Sequence, residues 1–314
     1  MKILANDGID AVGKKILEDA GFEVDTNHVP QEELMGRLNA YDAVTVRSAT
    51  KIRQPLIDAC PNIKAIGRGG VGMDNIDVDY ARSRGIAVVN TPAASSQSVA
   101  ELVFAHLLGG VRFLYDSNRK MPAEGGTNFG KLKKAYAKGA ELRGKTLGII
   151  GFGRIGRETA KVALGMGMDV IYTDLFDGPT TLELEFSGGI RMNLPVRQAA
   201  FEEVLKNADF ISLHVPFLDR PAIGKAEFAL LKDGVGLVNA SRGGVIDERE
   251  LIQALDSGKV SFAALDVFDG EPSPWPEILA HPRISLTPHI GAATNEAQER
   301  IGVELANLLI ETLK

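Results

Sequence analysis

The chain has 314 residues, enough for two domains that each bury a core, which excludes a single small module. Hydrophobic residues at 45% and charged residues at 24% give the balance of a globular protein, not of a disordered or fibrous one. Lys+Arg number 35 against 41 Asp+Glu, a net charge of −6, so the basic excess that phosphate-backbone binding requires is missing and nucleic acid is not an expected partner.

From the N-terminus, short apolar runs alternate with amphipathic stretches. Lys2–Ala5 reads as a strand, Ile9–Ala20 as a helix and Phe22–Asp25 as a strand. A helix at Gln31–Leu38 follows, then strands at Ala43–Arg47 and Ala65–Arg68, a short helix at Val78–Arg84 and a strand at Ala87–Asn90. This βαβ rhythm predicts an α/β fold with an open parallel sheet, because helical crossovers cover both faces of such sheets. After Asn90-Thr91-Pro92 the pattern changes to a long helix, Ser98–Ser117, and then to a Gly/Lys-rich stretch over 125–139 that reads as a connector. A second βα series begins at Lys145–Ile150. Its later strands are Asp169–Thr173, Phe210–Val215, Val235–Asn239, Phe262–Asp266 and Ile284–Thr287, and Asn295–Lys314 closes the chain as one helix.

Cys60 is the single cysteine, so an internal disulfide and a Cys-rich zinc site are excluded, and no metal ligand set is expected. The apolar run at the N-terminus is too short for a signal peptide, and no stretch approaches the roughly eighteen uncharged apolar residues of a membrane span. A cytoplasmic protein with no membrane partner is the expectation.

The pattern G-x-G-x-x-G occurs twice. Gly67-Arg68-Gly69-Gly70-Val71-Gly72 follows a strand but opens no long helix. Gly151-Phe152-Gly153-Arg154-Ile155-Gly156 follows the strand Leu147–Ile150 and precedes a helix-like segment, and Asp174 ends the next strand 23 residues after Gly151. That is close to the roughly 20 residues that bring an acid to the adenosine ribose of a dinucleotide. Gly151 allows the tight turn, Gly153 the close approach of backbone to pyrophosphate, and Gly156 the packing of helix on strand. The carboxylate of Asp174 accepts from ribose hydroxyls and repels a 2′-phosphate, so NAD is preferred over NADP.

A dinucleotide site needs a proton handler, and the candidates are His28, His106, His214, His281 and His289. His28 and His106 lie in the leading unit and in a helix. His214 closes a strand in either a packing or a supporting role, and His281 sits in a turn beside Pro282. His289 stands where a late strand gives way to a loop, and the loops 239–244 and 266–272 follow two other strands. All three fall at strand C-terminal ends, where open α/β sheets bind ligands.

These segments, with Val46–Lys51, Gly67–Asp77, Val99–Leu102, Ala264–Phe268 and Pro288–Ala292, resemble the D-isomer-specific 2-hydroxyacid dehydrogenase family over nearly the whole chain. Arg47–Lys51, Gly67–Asp77 and Ala292–Gln298 resemble its phosphoglycerate branch most. The resemblance implies two open parallel-sheet domains, with a Rossmann domain at 98–286 inserted in a smaller flavodoxin-like substrate domain formed by 1–97 and 287–314. It implies NAD-dependent oxidation of a small phosphorylated 2-hydroxy acid, D-3-phosphoglycerate, to 3-phosphohydroxypyruvate. Alternatives on the same fold are an NADH-dependent glyoxylate or hydroxypyruvate reductase, another D-2-hydroxyacid dehydrogenase, or a dinucleotide-sensing corepressor with little turnover.

By the same resemblance, His289 takes the hydroxyl proton, Glu271 orients the imidazole and favours its protonated form, and Arg242 forks onto the substrate carboxylate and carbonyl oxygen. Asp266 is implied to bind the nicotinamide carboxamide. Arg154, Ile155, Val215, Pro216, Ala240, Ser241, Gly291 and Ala292 line the cofactor, with Val71 near its nicotinamide end. Gly69, Gly70 and Val71 are implied to offer backbone N–H groups to the carboxylate, and Arg47, Ser48 and Arg68 to meet the distal phosphate. Lys134 contributes from the connector across a dimer, the expected oligomer being a homodimer or larger. Leu132 stands where a tryptophan is common in the family, which weakens Lys134, and no C-terminal regulatory extension is expected.

Overall fold

The structure, a computed structural model, describes all 314 residues. The chain divides into two compact units, one made of 1–98 and 292–314 and the other of 99–291.

The first unit begins β1 (Lys2–Ala5), α1 (Ala11–Asp19), β2 (Glu23–Asp25), α2 (Leu34–Arg37), β3 (Ala43–Val46), α3 (Gln54–Ala59), β4 (Ala65–Arg68), α4 (Val78–Ser83) and β5 (Ala87–Asn90). Asp10 starts α1 by accepting the Val12 N–H at 2.8 Å, a side-chain cap of the kind that fixes helix starts. The five strands are parallel in the order β2-β1-β3-β4-β5, the doubly wound arrangement of flavodoxin-like sheets. All four residues of β3 are buried, as a strand covered on both faces requires.

The second unit carries α5 (Ser96–Val111), α6 (Leu114–Ala135), β6 (Thr146–Ile150), α7 (Arg154–Gly165), β7 (Asp169–Thr173), β8 (Thr181–Phe186), β9 (Ile190–Pro195), β10 (Arg197–Gln198) and α8 (Phe201–Asn207). It continues with β11 (Phe210–Leu213), α9 (Lys225–Leu230), β12 (Val235–Asn239), α10 (Glu248–Ser257), β13 (Val260–Leu265), α11 (Pro276–Ala280) and β14 (Ile284–Leu286). Seven parallel strands lie in the order β10-β7-β6-β11-β12-β13-β14, the Rossmann order with one further strand. Neighbouring residues feed opposite faces: Leu237 joins one apolar cluster and Val238 the other. The topology reverses between β6 and β11, and the strand ends there form the ligand crevice of such sheets.

The chain then returns to the first unit as α12 (Asn295–Leu313), capped by Thr294 and packing Leu305, Ala306 and Leu309 against Ile3, Leu17 and Phe22. The return falls after Gly291, five residues beyond the expected 286/287, because Ile290 and Gly291 bond through their N–H groups to Asp266 of the second unit.

Two other expectations need correction. The Gly/Lys-rich stretch is the second half of α6, not a connector. Its glycines face solvent, while Leu132 is buried and the Tyr136 hydroxyl donates to Asp116 at 2.6 Å, tying one helix end to the other. The long helix ends at Val111 because Phe113 takes a left-handed conformation, φ 53°. The pair β8–β9 is an antiparallel hairpin, with Leu182 and Leu184 buried and Glu183 and Glu185 exposed. No single helix is long and apolar enough to cross a membrane.

Candidate active site

The cofactor loop follows β6. Gly151 has φ +91°, and a Cβ there would lie 2.5 Å from the His214 carbonyl oxygen and 3.0 Å from Val215 Cγ1. A Cβ on Gly156 would meet the Gly151 oxygen at 2.2 Å, so both positions require glycine for close approach. Gly153 differs: nothing lies within 4 Å of an added Cβ, so the space above it is open. It begins α7 without a side-chain cap, and the first backbone bond back to it comes from Arg157. The N–H groups of Arg154, Ile155 and Gly156 are therefore left for an anion at the positive end of the helix dipole. Asp174 faces this loop, accepting from Phe152 N at 2.5 Å and from Phe176 N at 3.2 Å. An open space over glycine, unsatisfied N–H groups and a carboxylate at the next strand end fit the pyrophosphate and ribose of a dinucleotide.

His214, just past β11, is half-buried with no partner for its Nδ1. Its Nε2 lies 2.9 Å from Ser212 Oγ, and burial pushes the imidazole down to about 3, which keeps it neutral.

Arg242, Glu271 and His289 are carried by three loops at strand C-terminal ends. Asn239, closing β12, accepts from Ser241 N and Oγ and donates to the Arg242 carbonyl at 2.8 Å, a tight turn that presents Arg242. Ala240 and Ser241 are buried beneath it. A Cβ on Gly243 would stand 1.8 Å from the Phe268 oxygen, so this loop lies pressed against the one that carries Glu271. Glu271 Oε1 accepts from Phe268 N at 2.9 Å and Oε2 lies 2.9 Å from His289 Nδ1. Burial pushes the Glu271 carboxyl up, but the bonds from His289 and Phe268 and the charges of His289 and Arg242 outweigh it and hold the group below the usual glutamate range. With Nδ1 on the carboxylate, His289 Nε2 makes no hydrogen bond within the chain and is the nitrogen available to a substrate. A cavity of about 380 Å³ opens beside the pair, lined by Phe268, Pro272, Leu286 and Pro288 among others, within the size range of small-ligand sites.

Asp266, expected at the nicotinamide carboxamide, is bonded to its own chain. It is 1% exposed, and its oxygens accept from the Thr287 hydroxyl, Ile290 N and Gly291 N. Three of about four lone-pair sites are thus spent on the chain's own loop, and a nicotinamide carboxamide would have to share the remainder. Ala292 carries a local bond as well, its carbonyl accepting from Gln298 Nε2 at 2.6 Å.

In the first unit, the loop after β4 corrects another expectation. The N–H of Gly69 donates to the Val46 oxygen and that of Gly70 to the Arg68 oxygen, both at 2.9 Å, so neither is free for a carboxylate. The N–H of Val71, as expected, and that of Gly72 make no such bond. Asn90 holds this turn by donating to the Val71 carbonyl at 2.7 Å. Arg68 bends back over it, bonding to the Gly69 oxygen at 3.2 Å and to Ser48 Oγ at 3.3 Å. The structure thus brings together Arg68 and Ser48. Arg47 lines a separate cavity of about 280 Å³ whose wall also holds Asp7 and Asp10. Lys134 is an exposed side chain in the last turn of α6.

Residues 104–291 match the sequence profile of the D-isomer specific 2-hydroxyacid dehydrogenase, NAD binding domain. The chain is 42% identical to a hydroxypyruvate reductase of Thermotoga maritima, covering 99% of this chain and 98% of that protein. It is 39% identical to a D-3-phosphoglycerate dehydrogenase of Methanocaldococcus jannaschii over its whole length, while spanning 58% of that relative. Among solved structures, a glyoxylate reductase from Paecilomyes thermophila superposes with a TM-score of 0.85 at 32% identity, covering 100% of this chain and 96% of the other.

Proposed function

The chain belongs to the D-isomer-specific 2-hydroxyacid dehydrogenase family and binds NAD, and from that premise we propose that it oxidises D-3-phosphoglycerate to 3-phosphohydroxypyruvate. The observation that carries the acid–base chemistry is the Glu271–His289 pair, whose Nε2 makes no hydrogen bond within the chain and whose carboxylate feels the charge of Arg242 on the adjoining loop, and the phosphorylated substrate rests on Arg68 held against Ser48. His289 Nε2 takes the C2 hydroxyl proton while the C2–H bond breaks and its electron pair leaves as hydride, so the alcohol carbon becomes a carbonyl. NAD, held by the α7 N-terminus and Asp174, supplies the two-electron acceptor. Arg242 holds the substrate carboxylate and steadies the carbonyl oxygen through its planar fork. In the reverse direction His289 returns the proton. Val71 and Gly72 offer N–H groups to the carboxylate, and Arg68 with Ser48 takes the distal phosphate.

A second reading, reduction of unphosphorylated hydroxypyruvate, is favoured by the acidic wall beside Arg47 and by the full-length match to a hydroxypyruvate reductase. NADH formation with 3-phosphoglycerate against D-glycerate, repeated with Arg68→Ala, separates the two. A charge-assisted contact is worth about 1.5–3 kcal/mol, so the phosphorylated substrate should lose about tenfold to a hundredfold in kcat/KM in the variant. Turnover of D-glycerate alone, unaffected by Arg68→Ala, selects the second reading.

The enzyme is further proposed to be a homodimer through α5 and α6. Leu108, Phe113, Leu114, Met121 and Phe129 are large apolar side chains left exposed on this helix pair. A monomer in light scattering at micromolar concentration removes this part of the reading.

A further inference from the structure

His106, on α5, is buried at 4% exposure in the apolar run Leu102–Val111, and nothing in the chemistry above uses it. Its ring is nonetheless fully bonded: Nδ1 lies 2.9 Å from Ser285 Oγ and Nε2 3.0 Å from Thr287 Oγ1. The Thr287 hydroxyl donates to Asp266 Oδ1 at 2.7 Å, and Asp266 accepts from the backbone N–H groups of Ile290 and Gly291, each at 2.8 Å. These bonds have a fixed direction. A carboxylate oxygen can only accept, so the single hydroxyl proton of Thr287 is committed to Asp266 and Thr287 Oγ1 must accept from His106. The proton on His106 therefore sits on Nε2, and Nδ1, left with a lone pair, accepts from Ser285. Burial lowers the proton affinity of the ring against the pull of Asp266, in keeping with a neutral imidazole.

The far end of this chain of bonds is the segment that carries His289. Thr287 lies two residues before it, Ile290 and Gly291 immediately after it, and His289 itself has φ +54°, a left-handed backbone conformation that a non-glycine residue keeps only when its surroundings impose it. We propose that His106 is a positioning residue for the acid–base histidine: as an Nε2–H imidazole it donates to Thr287, directs the Thr287 hydroxyl onto Asp266, and so fixes the 287–291 segment in the conformation that aims His289. This rests on the acid–base role of His289 proposed above.

Two measurements test it. Long-range nitrogen-15 NMR of the histidines in the unmodified enzyme is expected to show His106 as the neutral Nε2–H tautomer, and an Nδ1–H tautomer or an imidazolium near neutral pH overturns the assignment. In kinetics, a misplacement near 1 Å costs up to about a hundredfold, so His106→Leu should lower kcat by about tenfold or more with little change in KM for NAD. His106→Gln, whose amide nitrogen reaches the Nε2 position, should restore most of that loss. Thr287→Val should lower kcat similarly, and the double variant His106→Leu with Thr287→Val should be no worse than either single one. An unchanged kcat in His106→Leu, no rescue by glutamine, or additive losses overturns the proposal. If His289→Ala keeps its turnover, the acid–base reading fails and the positioning role with it, whereas the tautomer result reports on the bond network alone.

Discussion

His289 Nδ1 and Glu271 Oε2 stand 2.9 Å apart, and the histidine reaches that position from a left-handed backbone with φ +54°. The other oxygen of Glu271 is held by Phe268 N, so the carboxylate is anchored by its own loop and leaves one oxygen to fix the ring. The pair is therefore set by two loops that are themselves joined at Asp266, and the imidazole edge facing away from Glu271 makes no hydrogen bond within the chain.

Removing that edge should remove the proton transfer. His289→Ala is expected to lower kcat by about 10²–10⁴ while leaving NAD affinity, read by fluorescence titration, close to unchanged. Glu271→Gln keeps an acceptor for Nδ1 but loses the anchored negative charge beside the ring, so its loss in kcat should be smaller. A Glu271→Gln enzyme with unaltered kcat would separate the carboxylate from the acid–base step.

The three fingerprint glycines should divide by what surrounds them. An added Cβ at Gly153 meets nothing within 4 Å, whereas one at Gly151 or Gly156 meets backbone at 2.5 or 2.2 Å. Gly153→Ala is expected to melt within a degree or two of the parent, surface changes being worth about 0.5 kcal/mol or less, while losing NAD affinity because the methyl occupies the approach of the pyrophosphate. Gly151→Ala should instead lower Tm with or without cofactor. Equal NAD affinity in Gly153→Ala and the parent would place the phosphates elsewhere.

Much of this site was legible in the sequence because it depends on short-range geometry. The second glycine pattern, the strand before it and Asp174 at the next strand end are local, and β4, β5, β7 and β12 fall where apolar runs bounded by turn residues put them. What escaped depends on distant partners. Gly69 and Gly70 read as a free nest, but their N–H groups are used by Val46 and Arg68. His106 read as one more helix residue because its partners, Ser285 and Thr287, lie some 180 residues away. The hairpin was a different kind of miss: the alternation Thr-Leu-Glu-Leu-Glu-Phe over 181–186 and the turn at Gly188 and Gly189, both with positive φ, are a local signal.

Asp174 should set the choice of nicotinamide cofactor. Its carboxylate is held against the fingerprint by Phe152 N, so a 2′-phosphate on the ribose would meet a fixed negative charge. Asp174→Asn retains an acceptor for Phe152 and removes the charge. Since like-charge contacts cost several kcal/mol, the ratio of kcat/KM for NAD over NADP should fall by about tenfold or more. An unchanged ratio would mean that the ribose hydroxyls are read by another group.

Acid should destabilise the protein before its carboxylates titrate. Burial pushes His214 down to about 3 and lowers His106 in the same direction, while in the unfolded chain a histidine takes its proton near about 6.5. Below that pH the unfolded state binds more protons than the folded one, so stability is complete above about 6.5 and falls as pH decreases, by up to about 1.4 kcal/mol per pH unit from His214, with His106 adding in the same direction. Carboxyls held low in the folded state, such as Glu271 and Asp209, lose their contribution only at still lower pH. Denaturant melts between about pH 5 and 6.5 therefore isolate the histidines. His214→Asn should flatten the slope by about one proton. A slope that stays as steep in the variant would mean that His214 takes up its proton in the folded chain.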